Sequence, residues 1–286
     1  MLNYILMDFK RLLRTRSFYL ALLIAVFFLS MFALAGYYVT GFAEEFVPQA
    51  ERMMNEQVLE MARGYMTFNL FFSFFFSLPG MRMLHALLSL FAAGFLSREH
   101  HSGYLKNLLS IRGMRARWMV SKLLVLLTAS ILYYALFGLA CALVQVFYGN
   151  PVAVNFAQVL PFLGGQLLVD MALFSVIMLV VILFQTKAAA VLVAMMLSLN
   201  MQGLLYLLID WVNVLPFKLA RYGMMNLAAK AELPGGIVGL MGMAAGGSGI
   251  GMLSGGAEAL LPVAAGVFLL FTALSAFFLY RADYKG

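Results

Sequence analysis

The chain has 286 residues, of which 64% are hydrophobic and 11% are charged, and its formal net charge is +7. So much apolar surface cannot be buried in one core beneath a solvated surface, so the composition excludes a soluble protein and predicts an all-α integral membrane protein. The basic residues cluster near the ends of apolar segments, which indicates membrane topology rather than a nucleic-acid-binding surface. The single cysteine, Cys141, excludes an intrachain disulfide.

The first sixteen residues have an amphipathic pattern. Leucine, isoleucine and phenylalanine recur there at helical spacing, and four basic residues fill much of the remainder. This pattern predicts an interfacial helix over residues 1–16 that lies along the inner leaflet, with its cations among the headgroups of membrane lipids. The alternative is a cleaved signal peptide ending at residues 33–35, but the apolar run continues beyond the usual length of such a peptide.

Apolar runs of about 20 residues, the length that crosses a bilayer, predict six transmembrane helices. The second is ambiguous because Pro79, Gly80 and Arg82 interrupt the apolar sequence. Residues 68–78 are therefore either the first part of one kinked span or a re-entrant segment, and their short length favours the re-entrant segment. The predicted spans are approximately residues 17–38, 80–97, 118–147, 160–184, 188–209 and 259–280.

The distribution of lysine and arginine predicts the orientation of these spans. If the N-terminus is cytoplasmic, most of the nineteen basic residues fall in cytoplasmic segments. Both termini are then cytoplasmic, and residues 39–79 and 210–258 form outer loops with candidate re-entrant segments. The weak point is the segment after span five, where Lys218, Arg221 and Lys230 fall outside. We expect a multi-pass protein of the cytoplasmic membrane.

Glycines interrupt the apolar residues of segment 234–256. Each glycine in a helix costs roughly 1 kcal/mol relative to alanine, so one long helix is not expected there. The segment is either a flexible outer loop or a pair of short helices, at residues 237–243 and 250–253, that enter the outer leaflet. No glycine–lysine pair occurs in the chain, which excludes a Walker A loop for nucleotide phosphates.

The sequence contains little that indicates catalysis or metal binding. Its three histidines are His85, His100 and His101, and they form neither an HExxH motif nor a set of zinc ligands. No GxSxG motif supports a serine nucleophile. We therefore expect no enzymatic activity, no metal and no cofactor on this chain.

Asp170 is the clearest ionisable residue inside a predicted span. It lies about ten residues, or ~15 Å, below the start of span four, where an ionised side chain costs several kcal/mol unless it is paired or faces water. Asn200 and Gln202 lie at a comparable depth in span five. Asp170 either lines a substrate route or pairs with a cation such as Arg82, or it makes a packing contact with Asn200, Gln202 or a neighbouring tyrosine.

The segment 98–122, between spans two and three, carries six basic residues and a single acid, Glu99. Its order is an acid, a glycine, a short amphipathic helix, a basic turn and the next span. This resembles the ABC-2 type permeases, the membrane subunits of one class of ABC transporters. The resemblance extends over the whole chain, because an interfacial helix, six spans and a basic tail also fit. It departs at residues 111–113, where many members have proline and serine before the arginine.

The resemblance implies that residues 98–117 form a coupling helix that docks on a cytosolic ABC ATP-binding subunit. ATP and Mg²⁺ would bind that partner, and a second permease subunit would complete a homodimer or heterodimer. An apolar face and two or more cations of the segment could contact the partner. The residues expected to couple are Glu99, Gly103, Tyr104, Leu105, Lys106, Leu108, Leu109, Arg112 and Arg115.

The resemblance also implies export, since small bacterial permeases of this size are associated with drug and antimicrobial-peptide export and with immunity to bacteriocins. We expect an amphipathic peptide, a drug or a lipid-like molecule as the substrate. The alternative is a membrane sensor or scaffold that does not transport and binds a cytosolic signalling protein through residues 98–117. A scaffold needs only this connector, whereas a transporter also needs the interfacial helix and the polar residues at the midplane.

Overall fold

A computed structural model of the chain describes residues 2–46, 82–101, 114–147, 156–212 and 259–281. Within these ranges the regular structure is helical and no strand occurs, which confirms the all-α class for the described part of the chain. The helices are α1 (Leu2–Leu13), α2 (Arg16–Phe46), α3 (Met83–His101), α4 (Met114–Phe147), α5 (Phe156–Phe184), α6 (Lys187–Ser198), α7 (Met201–Trp211) and α8 (Leu260–Arg281).

Three of the described helices, α4, α5 and α8, are long and apolar enough to cross a membrane. The bent pair α1 and α2 makes a fourth candidate if it counts as one span. The helices α3 and α6 are apolar but shorter. Length and composition therefore support a multi-pass membrane protein, while the number of six spans and the orientation of the termini stay predictions.

A sharp bend separates α1 from α2. The two helices differ in direction by 52° across residues 14 and 15, close to the predicted boundary between the interfacial helix and span one. The Thr15 hydroxyl donates to the carbonyl oxygen of Arg11 at 2.7 Å, and the backbone N–H of Thr15 donates to Leu12 at 2.9 Å. These local bonds fix the end of α1, and α2 then continues to Phe46, into the predicted outer loop.

The helix α5 lies at the centre of the bundle. It packs against α3, α4, α6 and α8, and it is the most buried of the three long apolar helices. Its side chains are buried on several faces, for example at Val169, Leu173 and Ile177. A helix that is apolar on all sides is typical of a bundle core, because no face has to meet water. A charged side chain on α5 is therefore costly unless a neighbouring helix supplies its partner.

The predicted fifth span, residues 188–209, is two helices rather than one continuous helix. The break falls at residues 199–200, between α6 and α7. Asn200 adopts a left-handed backbone conformation, with φ 57° and ψ 30°. Asparagine enters this region more readily than most residues that carry a Cβ atom. The sequence suggests a role for its amide side chain, as a polar contact within span five. The structure shows a role for its backbone, which interrupts the helix.

Gln185, in the turn between α5 and α6, allows a direct test of the backbone geometry. Its side chain is exposed and its φ is 55°. We expect Gln185→Gly to leave stability unchanged or to raise it by up to about 1 kcal/mol, because glycine enters the left-handed region without a Cβ penalty. Gln185→Val should lower stability. Thermal unfolding of the purified protein in detergent measures both effects.

Thr186→Gly is the matched control, since Thr186 is also exposed but has an extended backbone with φ −116°. Glycine at position 186 should lower stability by about 0.5–1 kcal/mol, because glycine loses more conformational freedom on folding than threonine and gains nothing in an extended backbone. Equal effects of glycine at positions 185 and 186 would contradict the assigned left-handed turn.

Candidate functional site

Four polar side chains from three helices meet inside the bundle and form a buried polar cluster. His85 comes from α3, Tyr134 from α4, and Gln166 and Asp170 from α5. His85 Nδ1 lies 2.7 Å from Asp170 Oδ1, and His85 Nε2 lies 2.9 Å from Gln166 Oε1. The Tyr134 hydroxyl donates to Asp170 Oδ2. All four side chains are buried, so this cluster satisfies its polar groups internally.

The spacing of the two α5 residues explains how one imidazole ring contacts both of them. Gln166 and Asp170 are four residues apart, so they lie one above the other on one face of the helix. Both nitrogens of His85 face oxygen atoms, an arrangement that the doubly protonated ring satisfies. A rotated Gln166 amide would satisfy the neutral ring instead. In either case the carboxylate of Asp170 accepts one hydrogen bond from His85 and one from Tyr134.

The structure answers the question of what pairs with Asp170. The cation expected from sequence was Arg82, but the observed partners are His85 and Tyr134. The tyrosine contact, expected as one packing alternative, is therefore present, and the contact to Asn200 is not. The side chain of Gln202 lies outside the described residues. Whether Asp170, Arg82, Asn200 and Gln202 line a substrate route stays a prediction.

Sequence reasoning missed His85 as a partner, because it considered the histidines only as metal ligands. The signal was present: His85 is an ionisable residue inside a predicted span, just as Asp170 is. Within the described ranges, no group of three or more histidine, cysteine, aspartate or glutamate residues is arranged to hold a metal. His85 and Asp170 therefore form a pair, and no third histidine, cysteine, aspartate or glutamate in the described ranges joins them to form a metal site.

A second group of polar side chains, here called the basal cluster, joins α1 to α4. Lys122 Nζ lies 2.8 Å from Asp8 Oδ1, and the Ser121 hydroxyl donates to Asp8 Oδ2 at 3.1 Å. Arg11 Nη1 lies 3.8 Å from Asp8 Oδ1. The ammonium of Lys122 also lies over the ring of Phe95, 4.7 Å from its centroid. Lys122 is 1% exposed, so this cation points into the protein and does not serve as a surface charge.

The two ends of the connector make further contacts, one with the turn between α1 and α2 and one with the end of α8. At the end of α3, Arg98 Nη1 donates to Thr15 Oγ1 at 3.3 Å. At the start of α4, Arg115 Nη1 donates to the carbonyl oxygens of Leu279 and Tyr280, at 3.0 and 2.7 Å. The last carbonyls of a helix lack partners and carry its negative partial charge, so a cation is favoured there. Arg115 therefore caps α8, and its expected contact with a partner protein stays a prediction.

Most of the other predicted coupling residues cannot be located. Glu99 belongs to α3, but its side chain lies outside the described residues. The contact of the connector with a partner therefore stays a prediction. The residues that fall in the undescribed segment 102–113 are Gly103, Tyr104, Leu105, Lys106, Leu108, Leu109 and Arg112.

Apolar helices around a central α5, with polar clusters enclosed between them, define a multi-pass helical membrane protein. The family model for ABC-2 family transporter proteins matches residues 4–202, more than half of the chain. The chain therefore belongs to the ABC-2 transporter family and is a membrane permease of an ABC transporter. Permeases of this family work with an ATP-binding subunit. Comparison with curated proteins finds no match.

Truncating either member of the His85–Asp170 pair should destabilise the protein. We expect His85→Ala and Asp170→Ala each to cost about 3–5 kcal/mol, because each leaves a buried polar group without its partner. The double variant should cost less than the sum of the two, with a coupling of about 0.5–3 kcal/mol. Chemical denaturation in detergent micelles measures all three variants.

Ser89→Ala is the matched control for these variants. Ser89 is buried four residues after His85 on α3, and its hydroxyl oxygen has no hydrogen-bond partner. We expect a change within about 1 kcal/mol, since no hydrogen bond is lost. Strictly additive effects of the His85 and Asp170 substitutions would contradict the cluster.

Charge exchange tests the basal cluster. Asp8→Lys and Lys122→Asp should each lower the folded yield and cost about 3 kcal/mol or more, because each leaves two like charges in contact in a buried site. The exchanged pair should recover a large part of that loss. The matched controls reverse single exposed charges on the same helices, Lys10→Asp and Arg117→Asp, and each should have little effect on stability. A double exchange at positions 8 and 122 that is no better than the worse single variant argues against direct contact.

Proposed function

We propose that this chain is the membrane-spanning permease subunit of an ABC exporter. It moves an amphipathic peptide, a drug or a lipid-like molecule across the cytoplasmic membrane, with ATP hydrolysed by a separate subunit. The observation that carries the proposal is that both ends of the connector are bound to other helices. Lys122 contacts α1, Arg98 contacts Thr15 in the turn between α1 and α2, and Arg115 contacts the end of α8. A force on the connector therefore reaches four helices at once.

The basal cluster gives this coupling its first step. The ATP-binding subunit contacts the connector, which begins on α3 and ends on α4. The Lys122 ammonium contacts Asp8 of α1 and the ring of Phe95 of α3. A displacement of α4 therefore pulls α1 and α3 along with it. The contacts are buried, so water cannot replace them cheaply when the helices shift. The three helix ends then move together.

The buried polar cluster gives the second step. It joins α3, α4 and α5 at a distance from the connector, through His85, Tyr134 and Asp170. Helices connected at two levels tilt as a unit, which converts a local push into a change of the whole bundle. The helix α5 contacts α6 and α8 as well, so the tilt extends to those helices. The cluster thus acts as a fixed point within the moving bundle.

The charges near the connector support a cytoplasmic location for this end of the protein. Lys10, Arg14 and Arg16 are exposed on and next to α1, and Arg98 and Arg117 are exposed at the connector ends. Cations beside spans favour the cytoplasmic side and attract anionic headgroups. ATP and Mg²⁺ then bind the partner on the same side. A second permease subunit, identical or similar, completes the pathway.

The substrate class rests on the family resemblance and on the apolar character of the chain. The alternative function, a scaffold that binds a signalling protein through the connector, requires no communication between the connector and the polar clusters. The two functions therefore differ in what an altered connector does to ATP hydrolysis.

The ATPase rate of the reconstituted complex tests the proposal. The chain should copurify with an ABC ATP-binding subunit, and Arg112→Ala or Glu99→Gln should lower the stimulated ATPase rate by about tenfold, the effect of losing one charge-assisted contact of roughly 1.4 kcal/mol. Gln158→Ala is the control. Gln158 is exposed near the start of α5 and belongs neither to the connector nor to the polar clusters, so its substitution should leave the ATPase rate unchanged. If no ATPase copurifies and a signalling protein does, the scaffold function replaces this proposal.

A further inference from the structure

Arg82, the residue that precedes α3, is a buried cation without a partner in the described part of the chain. Its side chain is 4% exposed, and neither Nε nor Nη1 has a hydrogen-bond partner. The ion pairs of Asp8 and Asp170 do not include Arg82. Its guanidinium therefore lacks a counter-charge from this part of the protein.

Such an arrangement is costly unless an anion completes it. A guanidinium stays charged in proteins, and burial of an unpaired charge costs several kcal/mol. Asp170 already accepts hydrogen bonds from His85 and Tyr134, so it does not serve as this anion. Buried polar groups are normally hydrogen-bonded, so Nε and Nη1 of Arg82 require an acceptor, and the described residues do not supply one.

The start of α3 adds a second source of positive potential. The backbone N–H of Ala86 donates to the carbonyl of Arg82 at 2.9 Å, which is the first bond of the helix. The N–H groups of Met83 and Leu84 lie in the first turn of α3, where a helix has no intrahelical acceptors. The N-terminus of a helix carries a positive partial charge and binds phosphates and other anions. Arg82 and this first turn therefore favour the same kind of ligand.

The depth of Arg82 indicates where the anion comes from. Arg98, at the opposite end of α3, contacts the α1 region through Thr15. Sixteen residues separate Arg82 from Arg98, which is about 24 Å along a helix, compared with a hydrocarbon thickness of about 30 Å. With Arg98 at one headgroup layer, Arg82 lies beyond the buried polar cluster, on the side of the opposite leaflet. Lipid phosphates are the abundant anions of that leaflet.

We propose that Arg82 and the first turn of α3 bind the phosphate group of a phospholipid in the leaflet opposite α1. The guanidinium presents two parallel N–H donors that match two phosphate oxygens. The bound phosphate neutralises Arg82 and fixes the start of α3, three residues before His85 of the buried polar cluster. The site does not depend on ATP-driven transport, so it stands or falls separately from the proposed function.

Thermal unfolding of the full chain in detergent, with added ligands, tests the site. The probes are dioctanoyl-phosphatidylglycerol, dioctanoylglycerol with the same acyl chains but no phosphate, and inorganic phosphate. The wild-type protein should be stabilised by the phospholipid and by neither of the other two. Arg82→Gln should raise the phospholipid concentration needed for half-maximal stabilisation by about tenfold or more, the expected effect of losing a charge-assisted hydrogen bond.

Arg117→Gln is the matched control, since it removes one exposed arginine from α4 and should keep the wild-type response. An unchanged phospholipid response in Arg82→Gln overturns the site. Equal stabilisation by dioctanoylglycerol overturns the role of phosphate, and this arm needs no variant if Arg82→Gln does not fold. Equal stabilisation by inorganic phosphate overturns the lipid as the source and leaves a site for free phosphate.

Discussion

The contact between His85 and Asp170 is the interaction on which the rest of the structure depends. Hydrocarbon offers no hydrogen-bond partners, so a charged side chain buried between membrane helices is costly unless another helix supplies its partner. The carboxylate of Asp170 has His85 and Tyr134 as partners, which fixes α3 and α4 against the central α5. The contact of Asp8 with Lys122 applies the same rule where α1 meets α4. Together the two clusters set the register of four helices.

Much of the fold could be predicted from the sequence because its cause is local. Composition and the length of apolar runs predicted an all-α membrane protein, and the amphipathic pattern of the first sixteen residues placed the bend before α2 to within about two residues, a usual precision for helix ends. The order of residues in the connector indicated the ABC-2 family, and the family match confirms it. The interruption of span five at Asn200 was missed, because hydropathy does not register a single left-handed residue.

The candidate site could be predicted only in part, because side-chain partners depend on how helices pack. Depth along span four identified Asp170, but the number of residues from a span end does not state which neighbouring helix faces it. Arg82 and His85 are only three residues apart at the start of α3, and only packing decides that His85 is the residue that meets Asp170. Arg115 is likewise expected from sequence to contact a partner protein, but the sequence does not predict its contact with the end of α8. Long-range pairing of this kind leaves no periodic signal in one sequence.

The central claim is that the connector is a cytosolic docking segment for an ATP-binding subunit. The rate at which a membrane-impermeant maleimide labels Arg112→Cys tests it directly. Because Cys141 is the single native cysteine, Cys141→Ala gives a clean background. The account predicts no labelling in intact cells, labelling in inverted membrane vesicles, and slower labelling in vesicles that carry the bound ATP-binding subunit. Labelling in intact cells, or a rate in vesicles that the ATP-binding subunit does not change, would contradict it.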